Sequence, residues 1–198
     1  ARRMAPVALL ACLKHPLAAG GMAQGEFRYL ARRLERDVLR GPRPADGFGG
    51  LRAALESVKE ERRERLRSLL DRLEAMFLPL VGVADRTSAV VDLVRAHVAV
   101  AEALAATDTV PGTARVWAQD AGEALAQFVD DLMGAARDFS PLAGDAYGQF
   151  FEACLAGRVV RPRWGGHPRL QILGPLEARF VAADLTIVGG MNEGTWPP

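Results

Sequence analysis

The strongest constraint on the fold is a helical apolar stripe in the middle of the chain. Leu51, Leu55, Val58, Leu66, Leu69, Leu73 and Phe77 recur mostly at spacings of three and four, broken only where Arg62 takes an expected apolar position. That period belongs to a helix and not to a strand, and it predicts one long amphipathic helix over about 51–78. Its other faces carry the mixed run Lys59-Glu-Glu-Arg-Arg-Glu-Arg65, whose opposite charges three and four apart suit a solvated helix surface. Mixed signs argue against phosphate binding there.

The same period marks further helices. One is expected at 5–13, closed by His15-Pro16 and Gly20-Gly21. A second is expected at 25–40, with Phe27, Leu30, Leu34 and Val38 on one face and Arg28, Arg32, Arg33, Arg36 and Arg40 around the rest. The glycine- and proline-rich stretch 41–50 reads as a loop, and its Gly47-Phe-Gly-Gly50 as turns. Helices follow at about 87–106, 113–136 and 142–156. The last stacks Tyr147, Phe150, Phe151, Cys154 and Leu155, with Cys154, like Cys12, read as a small buried hydrophobe.

After residue 157 the pattern changes. Arg158-Val-Val-Arg-Pro-Arg-Trp-Gly-Gly-His-Pro168 is incompatible with a helix. It leads to two short apolar runs, Leu170-Gln-Ile-Leu173 and Leu185-Thr-Ile-Val188, with the β-branched content of buried strands. The expected organisation is a helical domain over 1–157, then a linker and the start of an α/β segment over 158–198. Two strands make no stable sheet alone. With the chain ending at Thr195-Trp-Pro-Pro198, the α/β part reads as a piece of something larger.

Composition narrows the chemistry. The 198 residues are 49% hydrophobic and 25% charged, enough for a buried core, and 25 basic against 24 acidic residues give a net charge of +1. There is no global field to draw in nucleic acid or an anionic membrane, so such binding needs a local patch. Two cysteines and three separated histidines provide neither a disulfide framework nor a metal-ligand spacing, and a reducing cytoplasm is expected. No charge-free apolar run of about 18 residues occurs, and the signal-like opening Ala-Arg-Arg-Met lacks a clean cleavage site.

Neither Lys14 nor Lys59 sits in the Gly-Lys-Ser/Thr setting that a phosphate-cradling loop requires. Gly82-Val-Ala-Asp85-Arg86-Thr-Ser88 is similar to the Gly-x-x-Asp-Arg-x-Asp string of one nuclease superfamily, with Ser88 replacing the second acid. A helix N-cap formed by Asp85, Thr87 or Ser88 explains the same residues without catalysis.

The candidate surface for nucleic acid is the acid-free interval between Glu152 and Glu177, with Arg158, Arg161, Arg163, Arg169, Trp164 and His167. Guanidinium groups fork onto phosphates and an exposed indole stacks on bases, the composition of a single-strand groove. The alternative is a linker whose arginines meet acids elsewhere and whose tryptophan packs under helices.

The last 32 residues carry a resemblance. A Gly174-Pro-Leu176-Glu177 turn precedes an apolar run and the closing string Gly189-Gly190-Met-Asn192-Glu193-Gly194-Thr-Trp196-Pro197. This resembles superfamily 1, UvrD-like helicases. With Leu9-Leu-Ala-Cys-Leu-Lys-His-Pro-Leu-Ala18 and Leu39-Arg-Gly-Pro-Arg-Pro44, the chain looks like the AddB family in its alphaproteobacterial form, the helicase-like and nuclease subunits of double-strand-break repair complexes.

The resemblance implies a helical, 2B-like accessory domain followed by the beginning of a RecA-like domain. It implies a partner, the AddA-like helicase-nuclease subunit, together with DNA, and no membrane. Leu176 and Glu177 fall on the Leu-Glu of the helicase motif, whose Glu lies beside the nucleotide sugar in active motors. Pro175 departs from the Gly normally found there, which puts motor chemistry in doubt. Gly189, Gly190, Asn192, Glu193, Gly194, Trp196 and Pro197 fall on the closing turn, as backbone geometry and packing. ATP, Mg and an iron-sulfur cluster are implied for the parent complex but for no residue of this stretch. The expected role is to guide or scaffold DNA without ATPase or nuclease chemistry, the alternative being a helical interaction module for the partner subunit.

Overall fold

The computed structural model describes residues 5–160, 171–174 and 176–189. The chain divides into two compact units, Ala1–Pro162 and Arg163–Pro198. The described residues are mainly helical, with eight α-helices and a single two-stranded antiparallel pairing. In order they are α1 (Pro6–Leu13), α2 (Gln24–Leu34), α3 (Gly47–Leu55), α4 (Glu60–Ala84), β1 (Thr87–Ser88), α5 (Val90–Ala105), α6 (Thr113–Val116), α7 (Gln119–Ala135), β2 (Leu142–Ala143) and α8 (Tyr147–Leu155).

Two cores hold the first unit. In one, Leu9 and Leu13 of α1, Phe27, Leu30 and Leu34 of α2, Phe48, Leu51 and Leu55 of α3 and Leu66, Leu69, Leu70 and Leu73 of α4 pack together, with Leu104 of α5 joining them. In the other, Val90, Leu93 and Val94 of α5 pack with Ala136 and Tyr147, against Val83, Ala84 and Phe151. The helices α4 and α5 contribute to both cores because their apolar faces run most of their length. The pairing Thr87↔Ala143 and Ser88↔Leu142 joins the α4–α5 turn to the segment before α8.

The expected single helix over 51–78 is two helices. The chain turns at 56–59, and Ser57 Oγ donates to the Ala54 carbonyl at 2.9 Å, a local bond that competes with helix continuation. Arg63 closes the turn by donating to the carbonyls of Glu56 and Val58 at 3.0–3.2 Å. This lets α3 fold back on α4. Arg52 then reaches Asp71 at 2.7 Å and also pairs with Glu74, residues that in one straight helix would lie about 28 Å or more away.

The stripe is nevertheless real. Leu51, Leu55, Val58, Leu66, Leu69 and Leu73 are all buried, because a turn that keeps the apolar face inward preserves the pattern while reversing the chain.

Other expectations are corrected as well. Gly47-Phe-Gly-Gly50 is the first turn of α3 and not a loop, since burying Phe48 against Phe77, with ring centroids 6.3 Å apart, outweighs the poor helix propensity of three glycines. The helix α4 does not stop before Pro79 but continues to Ala84, where Val83 and Ala84 pack against the second core. Helix 113–136 is interrupted between Val116 and Gln119, and the helix expected from 142 starts at Tyr147 because Leu142–Ala143 pairs as β2. Ser88 is no helix cap: its Oγ donates back to the Val83 carbonyl at 2.8 Å, and α5 begins after Ala89 without a side-chain cap. Cys12 and Cys154 are half-buried and not fully enclosed.

The second helix ends in a π-helical turn, Glu35–Leu39. Across it Arg33 and Asp37 form a nearly buried ion pair at 2.5 Å. The atoms are in ionic contact without hydrogen-bond alignment.

In the second unit, a 3-10 turn, Glu177–Phe180, is the one regular element among the described residues. The expected buried strands are, over their described residues, neither strands nor buried: Ile172 is 94% and Ile187 86% exposed, residues 171–174 and 185–189 run as irregular chain, and Leu170 lies outside the described residues. Apolar, β-branched composition makes a strand only when neighbouring strands satisfy the backbone, and no such neighbour meets these runs among the described residues.

Candidate nucleic-acid interface

Helix α8 ends at Leu155, and Gly157, at φ +85°, turns the chain out of it. A Cβ would strain that left-handed turn. The turn lays Arg158 over α7, with its guanidinium carbon 4.7 Å from the centre of the Phe128 ring and Nη1 3.7 Å from Asp131 Oδ2. Phe128 is buried and packs edge-on against Phe151, so the arginine covers the outer edge of the aromatic cluster that fastens α8 to α5 and α7. A cation–π contact whose cation is half-exposed, like this one, contributes about 0.5–1 kcal/mol and an exposed ion pair about 0–1 kcal/mol. Arg158 is held by the fold, though weakly.

Asp131 is the residue that sequence reasoning missed. The interval from Glu152 to Glu177 is acid-free along the chain, but the fold brings an acid from α7 to its first arginine. Phe128 shares the helical apolar spacing of Ala121, Leu125 and Leu132 in the sequence, but its contact with Arg158 comes only from the fold. Beyond Arg158 the chain exposes Val159 and, less so, Val160. Arg161, Arg163, Trp164 and Arg169 lie outside the described residues, as do Gly190, Asn192, Glu193, Gly194, Trp196 and Pro197.

Leu176 and Glu177 are described, and their geometry is local. Glu177 Oε2 accepts the Gly174 backbone N–H at 2.8 Å, while the Ala178 N–H donates to the Gly174 carbonyl at 2.9 Å. The carboxylate therefore caps its own turn, and Leu176 is largely exposed. Gly189 lies in exposed, irregular chain.

The remaining titratable groups read as structural. His97 Nδ1 lies 3.0 Å from the Tyr147 hydroxyl, and the imidazole meets Phe151 edge-on at 4.8 Å. Burial lowers the His97 pKa, favouring the neutral ring that can accept from the tyrosine, and burial raises the pKa of Tyr147. Burial likewise pushes the Cys12 thiol up, away from the thiolate that reactive or metal-binding chemistry uses. Glu102 accepts from the Trp117 indole at 2.7 Å.

Among the described residues no three His, Cys, Asp or Glu side chains come together to hold a metal ion. No helix among them is long and apolar enough to cross a membrane. Compared with known proteins, no family model, curated protein or solved structure matches the chain.

Proposed function

We propose that this chain is a DNA-guiding, non-catalytic module of an AddB-like subunit in a double-strand-break repair helicase-nuclease, working beside an AddA-like partner. The observation that carries the reading is the anchored start of the arginine-rich run. Gly157 and the Phe128–Arg158–Asp131 contact hold the first arginine of the run against α7, and Arg161, Arg163, Trp164 and Arg169 follow it in sequence. Arg158 itself serves the fold, leaving three arginines to meet phosphates.

The test is fluorescence anisotropy of a labelled single-stranded oligonucleotide against the purified chain over a salt series. Three phosphate contacts give a logarithmic salt slope of about 2, at roughly 0.7 per neutralised phosphate. Arg161→Ala/Arg163→Ala should lower the slope by about 1.4, whereas Arg158→Ala should have a small effect. The same preparation should release no phosphate from ATP and degrade no DNA with Mg²⁺ present.

A second reading, an interaction module without direct DNA contact, is favoured by the exposed apolar side chains of the second unit, including Ile172, Phe180, Leu185 and Ile187. Large apolar side chains left this exposed would gain from cover by another protein surface. Absence of oligonucleotide binding by the wild type at low salt would favour it.

A further inference from the structure

The outward side of α2 presents cations without the acids that neutralise arginines elsewhere on the bundle. At about 100° per residue, Phe27, Leu30, Ala31 and Leu34 form its buried face, while Arg28, Tyr29 and Arg32 fall on the opposite side, and Arg36 is exposed in the π-helical turn that continues the helix. The three acids of the α2 region are all engaged. Glu26 pairs with Arg65 at 3.4 Å. Glu35 pairs with Lys14 at 2.7 Å and Arg40 at 3.5 Å, and the Lys14 ammonium, with Arg40 beside it, holds its pKa down. Asp37 is held by Arg33 at 2.5 Å, with Arg36 touching its other oxygen at 3.6 Å.

What remains is a basic row. Arg32 has no ion pair or hydrogen bond among the described residues, and Arg28 has a single long contact, 3.5 Å to the Pro16 carbonyl. Arg36 has only its share of Asp37. Four-residue spacing sets the stems of Arg28 and Arg32 about 6 Å apart along the axis, and Arg36 follows one turn on in the π-helical end. Tyr29 stands beside them, 51% exposed, with Arg65 5.7 Å from its ring centre. Arg28 and Arg32, which have no carboxylate partner among the described residues, and Arg36, which shares Asp37 with Arg33, complement a row of phosphates, and an exposed aromatic ring among them adds a face on which an unpaired base can stack.

We propose that this face of α2, carrying Arg28, Tyr29, Arg32 and Arg36, is a docking surface for the phosphodiester backbone of single-stranded DNA. The choice of DNA rests on the function proposed above. The surface itself does not use residues 158–169, so the two can fail separately.

The experiment uses the full chain and a labelled single-stranded oligonucleotide, with anisotropy followed over a salt series. Arg28→Ala/Arg32→Ala/Arg36→Ala should weaken binding about tenfold at low salt and lower the logarithmic salt slope by about 2, at roughly 0.7 for each phosphate no longer neutralised. Arg28 also holds the Pro16 carbonyl, so Arg32→Ala/Arg36→Ala is the control that leaves this contact intact, with an expected slope change of about 1.4. Circular dichroism checks that both variants keep wild-type helicity. Tyr29→Ala should weaken binding roughly 5- to 150-fold if a base stacks on the ring.

Binding that survives Arg161→Ala/Arg163→Ala but falls in the α2 variants supports the proposal even as the linker reading fails. Unchanged affinity and slope in the α2 variants overturn it, whatever the linker variant does. So does absence of wild-type binding at low salt, or preference for duplex DNA with no effect of Tyr29→Ala.

Discussion

Replacing Phe48 by Ala separates the loop expected from the sequence from the helix found in the structure. In a solvated Gly-rich loop the change would cost no more than about 0.5 kcal/mol, the usual range for surface positions. In the structure Phe48 is 7% exposed, sits in the first turn of α3 and packs against Phe77 of α4. Truncating a buried phenylalanine typically costs about 3–5 kcal/mol. The lower end applies here, because the site lies near a helix start where the backbone can relax into the space, and about 0.5–1.5 kcal/mol of it reflects the aromatic pair. The expected loss is about 3 kcal/mol, or a fall in Tm of about 6–12 °C for a unit of this size. Phe48→Leu, which keeps most of the apolar volume, should cost less than about 1.5 kcal/mol. Urea unfolding followed by far-ultraviolet circular dichroism measures both. A Phe48→Ala midpoint within error of the wild type would refute the packing of α3 on α4, and with it the chain reversal at 56–59.

Stability should also depend on pH through His97. Its folded pKa lies below the ordinary value of about 6.5 because the ring is buried, so the unfolded chain binds the extra proton first, and the contribution is complete above about pH 6.5 and declines as pH falls through that value toward the folded pKa. Unfolding free energies between pH 7 and 5.5 should fall in the wild type and fall less in His97→Gln, which keeps an acceptor near Tyr147; parallel curves would exclude His97 as the source. Hydrogen exchange should show slow amides at 66–73, in the buried part of α4, and fast ones at 185–188, where the chain is exposed and outside any sheet. Equal protection of the two stretches would mean that the second unit carries paired strands after all.

The sequence alone determined that the chain is mainly helical, because the side-chain period of a helix is written in one dimension. Leu51, Leu55, Leu66, Leu69 and Leu73 are buried as their spacing required, and the same holds for Phe27, Leu30 and Leu34. It also limited the chemistry, since no Gly-Lys-Ser/Thr and no ligand spacing is present at any position. The reversal at 56–59 was not legible: Glu56-Ser-Val-Lys59 is compatible with helix, and the turn is fixed by Arg63 on two carbonyls and by Arg52 on α4. Nor was the helix in Gly47-Phe-Gly-Gly50, where local propensity favours a turn and burial of one phenylalanine reverses the preference. The same limit applies to Arg158, because an acid-free stretch of sequence is free of acids in space only if the fold brings none. Asp131 lies 27 residues earlier in the chain and reaches Arg158 because α7 and α8 pack together, through Phe128 and Phe151. Periodicity determines which face of an element is apolar, but where the chain turns and which charges meet depend on contacts between residues far apart in sequence.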